Sequence, residues 1–134
     1  MKKLLSENIT VQLIFLSLAV FLSRLPFLYA GFGAEEDSWL LVITAKNIAE
    51  SGVYEMSRAP GHPLQEIRYS LFWNAGPFAY NLLSAVMSVI AVLFFALSLI
   101  QLGFKHYLFA AFAFAFTPVV FISSTYTIDY VLTM

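Results

Sequence analysis

The sequence predicts an all-α integral membrane protein with three transmembrane helices and an extracytoplasmic loop that carries short interfacial helices. Hydrophobic residues make up 60% of the 134 residues and charged residues only 11%, whereas soluble domains carry about 25% charged residues. Three long stretches, residues 8–23, 69–104 and 106–128, contain no Asp, Glu, Lys or Arg. Such a chain lacks the polar side chains that it would need to face water on every side.

The first apolar segment predicts a transmembrane helix over residues 9–30, because about 20 apolar residues in a helix cross a hydrocarbon core of roughly 30 Å. Lys2 and Lys3 precede it, and basic residues collect on the cytoplasmic side of membranes. The N-terminus is therefore expected in the cytoplasm. A cleaved signal peptide is the alternative, although the apolar stretch is long for a signal core. We expect Arg24 to extend outward to the membrane surface or to meet a lipid phosphate.

Residues 31–77 form the predicted outer loop and contain two shorter helices. The first begins at a run of three acids and ends near Ser51, where Gly52 supplies a stop signal. The second is predicted over residues 64–73. The apolar residues of the first helix share one arc, which suits a helix lying in the membrane interface; they are Leu41, Val42, Ala45, Ile48 and Ala49.

Two further transmembrane helices are predicted over residues 78–100 and 107–123. Lys105 lies between them and is expected on the cytoplasmic side, so that residues 124–134 return to the outer face. Alternating Phe and Ala in the last segment resemble a strand locally, but its length favours a helix whose alanines allow close packing. We expect Pro118 to kink that helix. An aromatic belt is predicted where the second transmembrane helix enters the lipid: Tyr69, Trp73 and Tyr80.

Composition also excludes several kinds of chemistry. The formal net charge is −1 and no basic block is present, so we expect no nucleic-acid partner. The absence of cysteine excludes disulfides, thiolate metal sites and cysteine nucleophiles. The sequence contains no phosphate-cradling glycine loop, no zinc-ligand spacing and no nucleophile triad. Any chemistry must therefore come from carboxylates, arginines and histidine.

The acidic residues of the outer segments allow two interpretations. Glu35, Glu36 and Asp37 stand at a helix start, where acids complement the helix dipole and cap free amides. They could instead supply a general base or a metal ligand at the membrane surface. Asp129 follows the last apolar segment and is either a solvated loop residue or a partner for Asp37. Two carboxylates on the same membrane face could share a divalent metal ion or divide base and positioning roles.

Four further polar residues lie close together in the outer loop: Arg58, His62, Glu66 and Arg68. The arginines could bind a phosphate or pyrophosphate through bidentate hydrogen bonds, or they could anchor the loop to lipid headgroups. His62 stands between Gly61 and Pro63 and is either a metal ligand or proton carrier or a structural hydrogen-bonding residue.

The order of these motifs resembles the start of the GT-C-type integral membrane glycosyltransferases, the protein mannosyltransferase and aminoarabinose transferase group. The usual acidic motif of that family is Asp-Glu-x-Tyr, whereas this chain has the acids reversed and Trp in place of Tyr. The resemblance favours Asp37 as the functional carboxylate, with Glu36 as the second candidate. The segments that carry the resemblance are residues 24–27 (RLPF), 36–39 (EDSW), 45–52 (AKNIAESG) and 57–63 (SRAPGHP).

The resemblance implies transfer of a sugar from a polyprenyl-phosphate donor to an acceptor at the outer face of the plasma membrane. It implies Asp37 as general base and Arg58 as the group that stabilises the departing lipid phosphate. His62, Glu66 and Asp129 are the further expected substrate contacts. A divalent metal ion held by Asp37 and Asp129 is compatible with this chemistry but is not required by it.

Members of that family have many more membrane crossings. We therefore expect this chain to be the N-terminal portion of a larger enzyme, to work together with C-terminal transmembrane segments, and to be inactive alone. The alternative function is that of a non-catalytic small membrane scaffold or transporter subunit, whose acids only cap helices and bind water. A reading frame that continues past residue 134 with more apolar segments would favour the enzyme.

Overall fold

The structure is a computed structural model that describes residues 7–127. Every regular element within this range is helical, which confirms the predicted all-α class. Two short 3₁₀ helices, Leu25–Phe27 and Trp73–Ala75, adjoin the α-helices. The α-helices are α1 (Glu7–Arg24), α2 (Glu36–Ser51), α3 (Pro63–Ser70), α4 (Gly76–Gln101), α5 (Tyr107–Ala115) and α6 (Pro118–Ser123).

Two helical segments in residues 7–127 are long and apolar enough to cross a membrane: Glu7–Phe27, with 21 residues, and Trp73–Gln101, with 29 residues. At a rise of about 1.5 Å per residue, each reaches the roughly 30 Å of a hydrocarbon core. These segments correspond to the predicted helices over 9–30 and 78–100, with boundaries that differ by a few residues. The helices α2 and α3 lie in the predicted outer loop, and their position relative to a membrane stays a prediction.

The third predicted crossing is not a single helix. It divides into α5 and α6 at Thr117, whose backbone is extended with ψ 132°, as the residue before a proline prefers. Pro118 has no N–H to continue the hydrogen-bond ladder. The Thr117 N–H donates instead to the Phe114 carbonyl at 3.2 Å, and the Thr117 hydroxyl donates to the Ala113 carbonyl at 2.8 Å. The kink expected at Pro118 is therefore a complete break, and a third crossing stays a prediction.

The helices α1, α4 and α5 pack together through one apolar cluster. Its α5 members, Ala111 and Ala115, are about one helical turn apart. The buried alanines of the Phe-Ala alternation therefore follow the period of a helix and not the two-residue period of a strand. Small residues at these positions let helix backbones approach closely. The buried members of the cluster are Leu16, Val20, Val92, Ala96, Ala111 and Ala115.

The outward extension expected for Arg24 is wrong, because this side chain is fully buried at the end of α1. Its Nη2 donates to the Ala115 carbonyl at 2.6 Å, and its Nε donates to the Ser124 hydroxyl at 3.0 Å. The guanidinium carbon also lies 4.3 Å from the centre of the Phe121 ring. The last carbonyls of a helix have no amide partner within it, and Ala115 is the last residue of α5. Arg24 supplies the missing donor to its carbonyl and so holds the end of α1 against the break between α5 and α6.

The helices α2 and α3 pack on the start of α4 through a second cluster, formed by Leu41, Ala45, Tyr69 and Tyr80. The rings of Tyr69 and Tyr80 are parallel, with centres 4.4 Å apart. The Tyr80 hydroxyl donates to the Tyr69 carbonyl at 3.1 Å, and the Tyr69 and Ser84 hydroxyls are 3.0 Å apart. The predicted aromatic belt is therefore wrong for both tyrosines, which are fully buried. The apolar arc of α2 packs partly against protein.

Asn81 holds the residues that follow α1 and the residue Thr127 after α6. This fully buried residue of α4 donates from Nδ2 to the carbonyls of Leu28 and Gly31, at 3.2 and 2.8 Å. Its Oδ1 accepts a hydrogen bond from the Thr127 hydroxyl at 3.2 Å. The segment after α1 and the segment after α6 are therefore held at the same position on α4.

We expect Arg24→Ala to lower the free energy of unfolding in detergent micelles by about 1–3 kcal/mol, because the Ala115 carbonyl and the Ser124 hydroxyl lose a buried donor. The matched control is Leu22→Ala on the exposed face of the same helix. Denaturant titrations followed by tryptophan fluorescence measure both variants. Equal losses for the two would show that the Arg24 hydrogen bonds contribute nothing specific.

Candidate functional site

The acidic run lies at the start of α2, as predicted. Glu36 and Asp37 occupy the first helical turn, where the helix dipole favours negative charge. Glu35 is the N-cap, yet in the described structure its side chain makes no capping hydrogen bond. Its Oε1 accepts a hydrogen bond from the Tyr126 hydroxyl at 3.2 Å. The helix dipole thus stabilises the acidic residues of the run, as predicted. The predicted capping of free amides by the Glu35 side chain is not observed within residues 7–127.

Asp37 forms an ion pair with Arg58, between Oδ2 and Nη1. The pair joins α2 to the loop that precedes α3, and it lies in a partly open position. The Arg58 side chain is 27% exposed and the Asp37 side chain 35% exposed. Glu36 is exposed beside it. The structure thus brings together the two residues that the resemblance assigns to base and phosphate stabilisation.

Glu66 is fully buried on α3 and holds the segment before Arg58 in place. Its Oε1 accepts hydrogen bonds from the backbone N–H and the hydroxyl of Ser57, at 2.8 and 2.6 Å. Its Oε2 accepts one from the Tyr54 hydroxyl at 2.6 Å. These contacts make Glu66 a positioning residue for Arg58, the next residue after Ser57. The direct substrate contact predicted for Glu66 stays a prediction.

These hydrogen bonds also set the protonation of the two groups. Burial alone would raise the pKa of Glu66, but the hydrogen bonds from Ser57 and Tyr54 and the backbone contacts outweigh it and hold that pKa below its ordinary value of 4.5. The hydrogen bond to Glu66, followed by burial and the carboxylate charge, raises the pKa of Tyr54 to about 12. Glu66 is therefore the charged acceptor and Tyr54 the donor at neutral pH.

The turn after Arg58 requires a glycine. The Gly61 N–H donates to the Arg58 carbonyl at 2.6 Å, and Gly61 has φ +88°, a conformation that L side chains rarely adopt. A Cβ atom there would lie 3.0 Å from the Tyr54 hydroxyl and 3.1 Å from Met56. The turn therefore packs closely against the segment that Glu66 holds.

His62 is the N-cap of α3. Its backbone carbonyl accepts hydrogen bonds from the amides of Gln65 and Glu66, at 2.9 and 3.0 Å. His62 lines a cavity next to α3 together with Gln65 and Arg68, and neither Asp37 nor Arg58 lines it. A proton-carrier role for His62 stays a prediction.

Residues 7–127 include no group of three or more His, Cys, Asp or Glu side chains that could hold a metal ion. Asp37 instead has a guanidinium partner, which does not fit a metal ligand. Asp129 lies outside the described residues, so the shared Asp37 and Asp129 site stays a prediction.

Three structural contacts at this site were missed by the sequence analysis. Tyr126 covers the start of α2, and a Cβ atom on Gly33 would lie 2.7 Å from its ring. Asn81 and Arg24 hold the base of the loop through buried hydrogen bonds. Asn81 could have been found from its amide within a charge-free stretch, since buried amides are almost always hydrogen-bonded. The position of Tyr126 has no comparable local signal.

No protein-family model, curated protein or solved structure matches this chain. A functional assignment for the chain therefore rests on its own residues and their contacts.

Because the pKa of Glu66 is lowered in the folded protein, we expect its contribution to the free energy of unfolding to decrease at acidic pH. Its stabilising contribution is complete above the unfolded-state pKa of about 4.5 and is lost as the pH falls through the lower folded-state value. We expect Glu66→Gln to reduce the free energy of unfolding by about 1.5–3 kcal/mol at pH 7, with a difference from the wild type that shrinks below pH 4.5.

Unfolding titrations between pH 3 and pH 7 measure this difference. The control is Glu55→Gln, which removes a neighbouring exposed carboxylate that accepts a hydrogen bond from Asn47. A difference for Glu66→Gln that stays constant down to pH 3 would contradict a charged, hydrogen-bonded Glu66.

Proposed function

We propose that this chain is the N-terminal part of a GT-C-type membrane glycosyltransferase that uses a polyprenyl-phosphate sugar donor at the outer membrane face. The observation that carries the proposal is the ion pair between Asp37 and Arg58. The resemblance assigns complementary roles to these two residues, and they belong to separate parts of the loop. Their meeting in a partly open position supports a common site.

The proposed reaction is a displacement at the anomeric carbon of the donor sugar. The acceptor hydroxyl oxygen forms a bond to that carbon while the bond from the carbon to the donor phosphate oxygen breaks. Asp37 accepts the hydroxyl proton, a role worth about 10²–10⁴-fold in rate. The Arg58 guanidinium exchanges Asp37 for the departing phosphate as its partner, and the phosphate oxygens accept its hydrogen bonds. Glu36, exposed in the same turn, is the second candidate for the base.

Membrane placement completes the proposal. Two helices of sufficient length and apolarity support it. We place the N-terminus and Lys105 in the cytoplasm, with α2, α3 and residues after α6 on the outer side of the plasma membrane. The loop would then hold the ion pair at headgroup depth, where a lipid-linked donor carries its phosphate.

A non-catalytic membrane scaffold or transporter subunit is the second candidate function. The same ion pair favours it in one respect, because a direct contact between Asp37 and Arg58 also fastens α2 to the loop. In that case the ion pair contributes only to folding, and exchanging the acidic and basic residues between positions 37 and 58 would preserve that contribution.

The topology is testable because the chain contains no cysteine. We expect Glu50→Cys and Asp129→Cys to react with a membrane-impermeant thiol reagent in intact cells, and Lys105→Cys to react only after lysis. The unmodified chain is the control and should give no label. Labelling of positions 50 and 129 from opposite sides would exclude a shared outer site.

Catalysis is tested by sugar transfer from a lipid-linked donor, measured in membranes that contain the chain with whatever C-terminal segments its reading frame encodes. We expect Asp37→Asn to lower the transfer rate by about 10²–10⁴-fold at unchanged membrane abundance. The control is Glu50→Gln, an exposed acid on the same helix that pairs with Lys46 at 3.8 Å. Unchanged transfer by Asp37→Asn would remove Asp37 as the base.

In membranes in which the wild type transfers sugar, a charge exchange shows whether the ion pair acts in transfer or only in folding. The double variant Asp37→Arg with Arg58→Asp restores an ion pair between α2 and the loop, but it places the proton acceptor and the phosphate-binding group in each other's positions. The enzyme proposal expects folding stability close to that of the wild type and no transfer. Recovery of transfer together with stability would show that the pair is only structural.

A further inference from the structure

A cavity of about 600 Å³ lies beside α3, and neither Asp37 nor Arg58 is among its lining residues. One part of its wall is polar and the other part is apolar. The lining residues are Gly61, His62, Pro63, Leu64, Gln65, Arg68 and Met87. Among these lining residues there is no carboxylate, so the charged group in the wall is the Arg68 guanidinium.

Arg68 is the charged residue of the cavity wall and is partly exposed. The side chains of Gln65 and Arg68 both contact the Tyr69 hydroxyl, and Nε2 of Gln65 and Nε of Arg68 are buried, so these two nitrogens belong to the packing of α3. A guanidinium has five N–H donors in a planar fork that matches phosphate oxygens. The wall therefore favours an anionic ligand with acceptor oxygens.

The apolar surroundings of the cavity indicate where that ligand comes from. On α3, Leu64 is 86% exposed, and Ile67 and Leu71 follow it on the same helical face with 47% and 74% exposure. Met87 belongs to α4, one of the two helices that are long and apolar enough to cross a membrane. A soluble anion would leave these side chains in water, whereas a lipid would cover them with hydrocarbon.

We propose that this cavity binds the headgroup of an anionic membrane phospholipid. The phosphate oxygens accept hydrogen bonds from the Arg68 guanidinium. The acyl chains lie along Met87 and the exposed side chains of Leu64 and Leu71. This inference rests on the proposed membrane placement and is independent of glycosyl transfer.

The test is binding of defined lipids to the purified chain in neutral detergent, measured by native mass spectrometry. The probes are dioleoyl phosphatidylglycerol, dioleoyl phosphatidylcholine and inorganic phosphate. We expect phosphatidylglycerol to bind the wild type at least about tenfold more tightly than it binds Arg68→Gln, since one charge-assisted interaction is lost. Arg68→Lys should fall between the two, because it keeps the charge but loses the planar fork.

The matched control is Lys46→Gln, which removes one positive charge from an exposed position on α2 and should leave binding unchanged. Leu64→Gln is the second variant; it makes an exposed apolar residue of the wall polar and should weaken binding without changing the net charge. Circular dichroism and carbonate extraction establish that each variant is folded and membrane-integrated, so a failure of membrane placement is seen separately.

The proposal is overturned if Arg68→Gln and Leu64→Gln bind phosphatidylglycerol as the wild type does, or if Lys46→Gln weakens binding equally. Equal affinity for phosphatidylcholine would show that the anionic headgroup is not recognised. Displacement of the lipid by millimolar inorganic phosphate would show that the site takes free phosphate and would overturn the lipid assignment.

Discussion

A guanidinium that is buried among apolar helices must find acceptors within the protein, and Arg24 meets that requirement at the break between α5 and α6. Its bonds to the Ala115 carbonyl and the Ser124 hydroxyl fix the end of α1 against the break. Asn81 then holds the next residues of the chain against α4. The loop that carries the candidate site therefore starts from a defined base, because satisfied buried hydrogen bonds make a packed region rigid.

Above that base, α3 organises the loop through two polar surfaces. Glu66 accepts hydrogen bonds from Tyr54 and Ser57 and thereby orders the residues that lead to Arg58. Gln65 and Arg68 line the cavity beside the same helix. The stack of Tyr69 on Tyr80 fastens α3 to α4. One short helix thus connects an ion pair, a cavity and a long apolar helix.

Composition and helical periodicity predicted the all-α class, the two long apolar helices and the stop at Gly52, where the chain adopts φ +70°. These features depend on local sequence alone. The burial of Arg24, Tyr69 and Tyr80 was not predicted, because hydropathy does not show which neighbour will cover a side chain. Pro118 signalled a kink but not how far it interrupts the helix.

The candidate site was predictable to a similar, limited extent. The acids at the start of α2 and the loop arginines were recognised as residue types suited to phosphate and proton chemistry. The contact between Asp37 and Arg58 depends on how α3 folds back on α2, which no local pattern encodes. The buried role of Glu66 was missed for the same reason, and Asp129 lies outside the described residues.

The pairing of Asp37 with Arg58 also affects how ligands reach this surface. Two opposite charges in contact present a dipole, whose potential decays faster with distance than that of a single charge and is screened further by salt. The pair itself therefore contributes little long-range steering, and an arriving anion gains the attraction of Arg58 only by competing with Asp37 for it. Association there is governed by exchange of partners at short range, which favours a ligand already concentrated beside the loop over one drawn from bulk solution.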